Sequence, residues 1–114
     1  MTTEQIAVIG AGLMGHGIAQ VFAAAGHTVR VFDTSADALA SLRARIARNL
    51  QDLGQDATAA ELVTPVDELG ECVARADVVF EAGPEDLAWK RKLFEQLQLL
   101  APAHATLASN TSVI

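Results

Sequence analysis

Residues Gly10-Ala11-Gly12-Leu13-Met14-Gly15 form a G-x-G-x-x-G set between an apolar run and an Ala-rich segment. No other feature of the chain limits its fold so strongly. The run before it, Gln5 to Gly10 (QIAVIG), is almost wholly apolar, as suits a strand buried on both faces of a parallel sheet. The segment after it, Leu13 to Ala25, sets Ile18 and Phe22 at helical spacing, and Gly26 is placed to stop the helix. The three glycines have separate tasks. Gly10 permits a tight turn, Gly12 lets the backbone approach a pyrophosphate with no Cβ in the way, and Gly15 lets the helix lie close to the strand. Gly17 is expected to add a further close-packing position. A diphosphate at this turn meets free N–H groups at the positive end of the helix dipole. The competing reading is a turn that needs glycine for its shape alone. The flanking strand and helix favour dinucleotide binding.

Thr28 to Phe32 (TVRVF) is β-branched and aromatic and reads as a second strand, ended by Asp33. A carboxylate at that place can accept bonds from the adenine ribose hydroxyls; the alternative is an ordinary loop or helix-start acid. Thr34 and Ser35 offer no Arg for a 2′-phosphate, and Asp33 would repel one, so the expected cofactor is NAD rather than NADP.

Ser35 can cap a helix from Ala36 to about Leu53, with Leu39, Leu42, Ile46 and Leu50 on one face and Gly54 closing it. Gln55 to Ala60 reads as a loop or short helical turn, Leu62 to Thr64 as a brief strand before Pro65, and Val66 to Ala74 as a helix. Asp77 to Ala82 (DVVFEA) is a strand broken by Gly83-Pro84. Glu85 to Leu100 is a helix with Trp89, Leu93, Leu97 and Leu100 in a stripe, and Thr106 to Ser109 is a last strand. Strands alternating with helices mean βαβ units. The expectation is an α/β chain forming a Rossmann-type doubly wound parallel sheet of order 3-2-1-4-5, one domain over residues 1–114.

Charge narrows the partners. Eight Lys and Arg against 14 Asp and Glu give a formal charge of −6, which argues against nucleic acid and against an anionic membrane surface. No apolar run approaches the roughly 20 residues of a membrane span, and no secretory signal is visible. Cys72 alone makes neither a disulfide framework nor a multi-Cys zinc site, which fits reducing, cytoplasmic surroundings. It reads as a small, partly buried side chain. His16, His27 and His104 have no metal-ligand spacing, so no metal is expected. His16 is read as a neutral surface residue, with a place near the diphosphate as the alternative. Arg43, Arg45 and Arg48 are read as a solvated helix face, with an acyl-CoA phosphate contact as the alternative. Trp89 is read as packing, since it shares the helix stripe, with nucleotide stacking as the alternative.

Three blocks together, IAVIGAGLMGHGIAQVFAAAGHTVRVFD, ADVVFEAGPEDLAWKRKLFEQL and LASNTS, resemble the NAD-binding domain of the L-3-hydroxyacyl-CoA dehydrogenase family, in the family's order and over nearly the whole chain. The resemblance implies NAD held by Gly10, Ala11, Gly12, Leu13, Met14 and Gly15 at its diphosphate and by Asp33 at the adenosine ribose. It implies Glu85 and Lys90 near the nicotinamide-side ribose; from the residues alone the two could equally be a solvated helix start. It implies Ser112 on the substrate's 3-oxygen beside the nicotinamide, with Asn110 shaping that pocket; Ser112 could otherwise be a plain helix N-cap. The implied chemistry is hydride transfer between the 3-carbon of a small-molecule 3-hydroxyacyl substrate and NAD, in fatty acid metabolism, by a homodimer.

The family's general base is a His oriented by a Glu, and no residue here matches either, so the chain is expected to be the N-terminal part of a longer enzyme, inactive by itself. His104 precedes the last strand and is not a candidate for that role. An open sheet edge and an apolar face are expected at strand five, a surface for dimerisation or association. Where family members carry lysines after the second helix, this chain reads Gln51-Asp52-Leu53-Gly54-Gln55-Asp56. A dehydrogenase of a non-CoA 3-hydroxy acid, of carnitine or gulonate type, therefore stays open beside the acyl-CoA substrate, as does a non-catalytic NAD(H)-sensing module. A flavoprotein is the weaker fit.

Overall fold

Strand β1 (Gln5–Ile9) carries the apolar run into the middle of a five-stranded parallel sheet of order β3-β2-β1-β4-β5. A computed structural model describes residues 3–83 and 87–109. The other strands are β2 (Thr28–Phe32), β3 (Val63–Val66), β4 (Val78–Glu81) and β5 (Thr106–Ser109). The helices are α1 (Leu13–Ala24), α2 (Ala36–Asp52), α3 (Leu69–Val73) and α4 (Leu87–Leu100), with a short 3-10 helix at Ala57–Leu62. The α/β class and the order 3-2-1-4-5 stand as expected.

The alternation of side chains along a strand builds two cores from one run of sequence. Ile6 and Val8 of β1 face α1 and α2, where Ala19, Ala23, Leu42, Ile46 and Leu50 meet Val29 and Val31. Ala7 and Ile9 face α3 and α4, where Cys72, Val73, Leu93 and Leu97 meet Val79. Each buried Leu or Ile in these layers contributes about 1.5–3 kcal/mol relative to exposure. Ser35 caps α2 by accepting from the Ala38 N–H at 3.2 Å, and Gly26 and Gly54 follow the ends of α1 and α2 as expected.

Several local expectations shift. Pro65 lies inside β3 rather than beyond it, opposite Val31. An edge strand pairs on one side only, so a residue without an N–H is tolerated there. Val66 therefore belongs to the strand, and the helix expected from it contracts to Leu69–Val73. The uncertain stretch before β3 is the 3-10 helix, capped by Asp56, whose Oδ1 accepts from the Thr58 N–H at 3.0 Å and from the Thr58 hydroxyl at 2.7 Å. Those two bonds hold the Asp56 carboxyl below its ordinary value. On α4, Leu93 and Leu97 are buried but Leu100 is 43% exposed, so the stripe is shorter than its spacing suggests. Cys72 is fully rather than partly buried: it sits under the sheet, its Sγ 3.5 Å from the Arg30 carbonyl oxygen, and burial pushes the thiol up to about 12. Gly17 is not a close-packing position, because a Cβ there would meet nothing within 4 Å. Among the described residues no helix is long and apolar enough to cross a membrane, and no cluster of His, Cys, Asp and Glu could hold a metal ion.

Candidate nucleotide-binding site

Parallel registry brings Ile9, Phe32, Glu81 and Ser109 level with one another at the carboxyl ends of their strands. Ligands of open α/β sheets settle at this edge, where the strand order reverses between β1 and β4. The glycine turn leaves β1 here. The Gly10 N–H donates to the Phe32 carbonyl at 2.7 Å, and Gly10 has φ +113°, a value that favours glycine. A Cβ on Gly10 would also lie 2.9 Å from the Ala82 carbonyl oxygen. A Cβ on Gly15 would fall on the carbonyl oxygen of Gly10, so α1 can approach the strand only with glycine at that place. Gly12 differs: a Cβ there would meet nothing within 4 Å, and the residue borders open space.

Gly12 is the N-cap of α1 and has no side chain to satisfy the first-turn N–H groups; no acidic residue occupies that turn. Leu13 is 87% exposed and Met14 more than half exposed beside it. The turn thus keeps its donors and its positive dipole end for an incoming anion. The His16 ring bonds the Gly12 carbonyl oxygen through Nδ1 at 2.9 Å. A carbonyl only accepts, so Nδ1 carries the proton. His16 is therefore part of the first turn's own bonding.

Asp33 closes β2 beside this turn. Its Oδ2 accepts from the Ala11 N–H at 2.7 Å and its Oδ1 from the Ser35 N–H at 2.8 Å. A carboxylate has about four lone-pair directions, so half of its accepting capacity remains for a ligand. A crevice of about 540 Å³ opens next to it on the α3 and α4 face, with Ile9, Phe32, Leu69, Trp89 and Leu93 as its apolar lining. Trp89 packs against the core, as expected, and also lines the crevice.

Lys90 comes to a place its sequence position does not announce. Its Nζ lies 3.1 Å from Glu81 Oε1, and both side chains are buried. Glu81, 1% exposed, also accepts the Gly83 N–H through Oε2 at 2.7 Å. Sequence reasoning passed over Glu81, although an acid inside the apolar run VVFEA was a signal: a carboxylate on a strand buried on both faces requires a partner. Sequence reasoning also missed Arg45. Its guanidinium reaches the Ala11 carbonyl at 3.1 Å, and Arg43 Nε donates to the Val63 carbonyl at 2.6 Å. Two of the three arginines taken for a solvated face are therefore tertiary anchors, and Arg48 alone remains simply exposed. Glu85, Asn110 and Ser112 lie outside the described residues.

His104 lies at the opposite end of the sheet, its Nε2 3.0 Å from Asp77 Oδ1. It is remote from the glycine turn.

The family model described as 3-hydroxyacyl-CoA dehydrogenase, NAD binding domain, matches residues 5–114. Among curated proteins, the chain is similar to the 3-hydroxyadipyl-CoA dehydrogenase of Escherichia coli, with 37% identity over 122 residues that cover 100% of this chain and 26% of that protein. It is similar also to the L-carnitine dehydrogenase of Streptomyces griseus, with 37% identity over 113 residues, 96% of this chain and 34% of that one. Among solved structures, the 3-hydroxybutyryl-CoA dehydrogenase of Escherichia coli matches with a TM-score of 0.88 at 37% identity, covering 100% of this chain and 26% of that chain. The chain thus spans between 26% and 34% of the length of these relatives. Its glycine turn, its Asp33 and its sheet order agree with the match, and the chain belongs to the 3-hydroxyacyl-CoA dehydrogenase family, as an NAD-binding domain.

Proposed function

We propose that residues 1–114 are the cofactor-binding domain of a longer, cytoplasmic, homodimeric dehydrogenase that oxidises a 3-hydroxyacyl-CoA. The observation that carries this reading is the uncapped first turn of α1 with open space at Gly12, in a chain matched by the family over residues 5–114. When bound, NAD supplies the hydride acceptor. The chain's own residues bind and orient it. The turn from Gly10 through Ala11, Gly12, Leu13 and Met14 to Gly15 holds the diphosphate through the first-turn N–H groups of α1, the Gly10 and Ala11 N–H groups being engaged by the Phe32 carbonyl and by Asp33. The free lone pairs of Asp33 accept the adenosine ribose hydroxyls and repel a 2′-phosphate. Lys90, held by Glu81, and Glu85 serve the nicotinamide-side ribose. Ser112 bonds the substrate's 3-oxygen and Asn110 shapes the pocket around it. None of these residues takes the 3-hydroxyl proton, and His104 stands at the wrong end of the sheet for it, so the chain alone binds without turnover.

The relation to L-carnitine dehydrogenase favours a second reading, a 3-hydroxy acid without CoA. Asp52 and Asp56 are exposed where CoA phosphates would want cations, which is consistent with it.

Titration calorimetry of the 114-residue chain with NADH and NADPH tests the cofactor reading. Tighter binding of NADH is expected; tighter binding of NADPH, or no binding of either, defeats it. A clear rate of 3-hydroxybutyryl-CoA oxidation by this chain alone would refute the division of labour. Comparing 3-hydroxybutyryl-CoA with carnitine on a chain of the relatives' length separates the two substrate readings.

A further inference from the structure

Ala11 is held at both its amide nitrogen and its carbonyl by side chains from different elements. Its N–H donates to Asp33 Oδ2 at 2.7 Å, and its carbonyl accepts from Arg45 Nη2 at 3.1 Å. The same guanidinium is tied to its own helix. Nη2 also donates to the Ala38 carbonyl at 3.1 Å, and Nε donates to the Ser41 hydroxyl at 3.1 Å. Arg45 is half-buried, and its helix neighbours Leu42 and Ile46 are locked in the core. A planar fork with three bonds and a packed helix behind it has little freedom left.

Peptide planarity turns these two contacts into control of the turn. The Ala11 carbonyl and the Gly12 N–H share one trans plane and point in opposite directions. Fixing the carbonyl on α2 aims the Gly12 N–H away from α2. Likewise the Ala11 N–H and the Gly10 carbonyl share a plane. With the N–H on Asp33, the Gly10 carbonyl is directed at Gly15, where a Cβ would collide with it. We propose that Arg45 is a positioning residue for the diphosphate turn, completing with Asp33 a two-point clamp on Ala11 that sets the donors of the turn before any cofactor arrives. Preorganisation of this kind raises affinity by removing an ordering cost from binding. The inference rests on the NAD reading above and adds to it a residue outside the glycine set.

A role in charge alone and a role in positioning predict different variants. Arg45→Lys keeps the positive charge and loses the fork. NADH fluorescence titrations of the wild-type chain, Arg45→Ala, Arg45→Lys and Arg48→Ala, each with its melting temperature, distinguish the two. Loss of a charge-assisted bond corresponds to about a tenfold change in affinity or more. The expected result is a Kd raised about tenfold in Arg45→Ala and several-fold in Arg45→Lys, with Arg48→Ala unchanged. In Arg45→Lys the Ala11 amide, bonded to Asp33, exchanges faster in the ligand-free chain while the strand amides do not. A Kd for Arg45→Lys equal to wild type overturns the proposal, as does an Arg48→Ala effect as large as that of Arg45→Ala. If Arg45→Ala does not fold, Arg45→Lys and its amide exchange decide the matter. A wild-type chain that binds no NADH defeats the NAD reading and this inference together; a wild-type chain that binds, with indifferent Arg45 variants, defeats this inference alone.

Discussion

The two ends of β1 use the same device for opposite purposes. Before the strand, the Gln5 N–H donates to Asp77 Oδ2 at 2.7 Å; after it, the Ala11 N–H donates to Asp33 Oδ2 at 2.7 Å. At the amino end the second oxygen of Asp77 is taken by His104, and the Asp77 backbone continues into β1 and β5 through the Gln5 carbonyl and the Thr106 N–H. Side chain and backbone together, Asp77 ties β1 and β5 to the start of β4. At the carboxyl end the second oxygen of Asp33 takes only the nearby Ser35 N–H, and the group borders an open crevice. One carboxylate serves the sheet, and the other braces a turn and retains accepting capacity for a ligand. The bond to the backbone does not distinguish them; what lies on the far side of the carboxylate does.

The largest expected effect is at the carboxyl end. Glu81→Ala removes the carboxylate 3.1 Å from the buried Lys90 ammonium and the acceptor of the Gly83 N–H. Breaking a buried pair from one side costs about 3–5 kcal/mol, so denaturant unfolding should show a loss of that order. A loss below about 1 kcal/mol would mean that the pair contributes no more than a surface ion pair.

Next in size is the contrast between the two aspartates. Asp33→Ala should weaken NADH binding about tenfold or more, by losing both the ribose acceptor and one arm of the clamp. Asp77→Ala should lower the melting temperature and leave NADH affinity unchanged. If both variants bind NADH equally well, the division between the two ends is wrong.

The smallest effect is in acid. Asp77 is held below its ordinary value of 3.8, first by the Gln5 N–H and then by the His104 contact. A depressed folded-state value means that the unfolded chain takes up the proton first as the pH drops. The stabilisation is full above the ordinary carboxylate value and is lost as the pH falls through the lowered one. Asp77→Asn should therefore flatten the acid limb of a stability–pH curve below about pH 5, with no change at neutral pH in its slope. An unchanged acid limb would assign that limb to other carboxylates.

Much of this molecule was legible along the chain because its signals are local. The spacing Gly10-Gly12-Gly15, the run QIAVI, the cap at Ser35 and the acid after TVRVF each act within a few residues, and each element they predict is present within a few residues of its expected bounds. The departures are nonlocal. Pro65 could join β3 because the strand proved to lie at an edge. Arg45 became a brace of the glycine turn only because α2 packs beside α1, which brings it to Ala11, 34 positions earlier. Lys90 and Glu81 met because β4 and α4 fold back on one another around a buried site, and Cys72 lost its solvent because α3 covers the sheet beneath Arg30. Periodicity and turn chemistry decide which backbone each segment adopts. The partner of a long charged side chain is decided only when two elements are pressed together, because the cost of leaving it buried and unpaired exists only in the packed state.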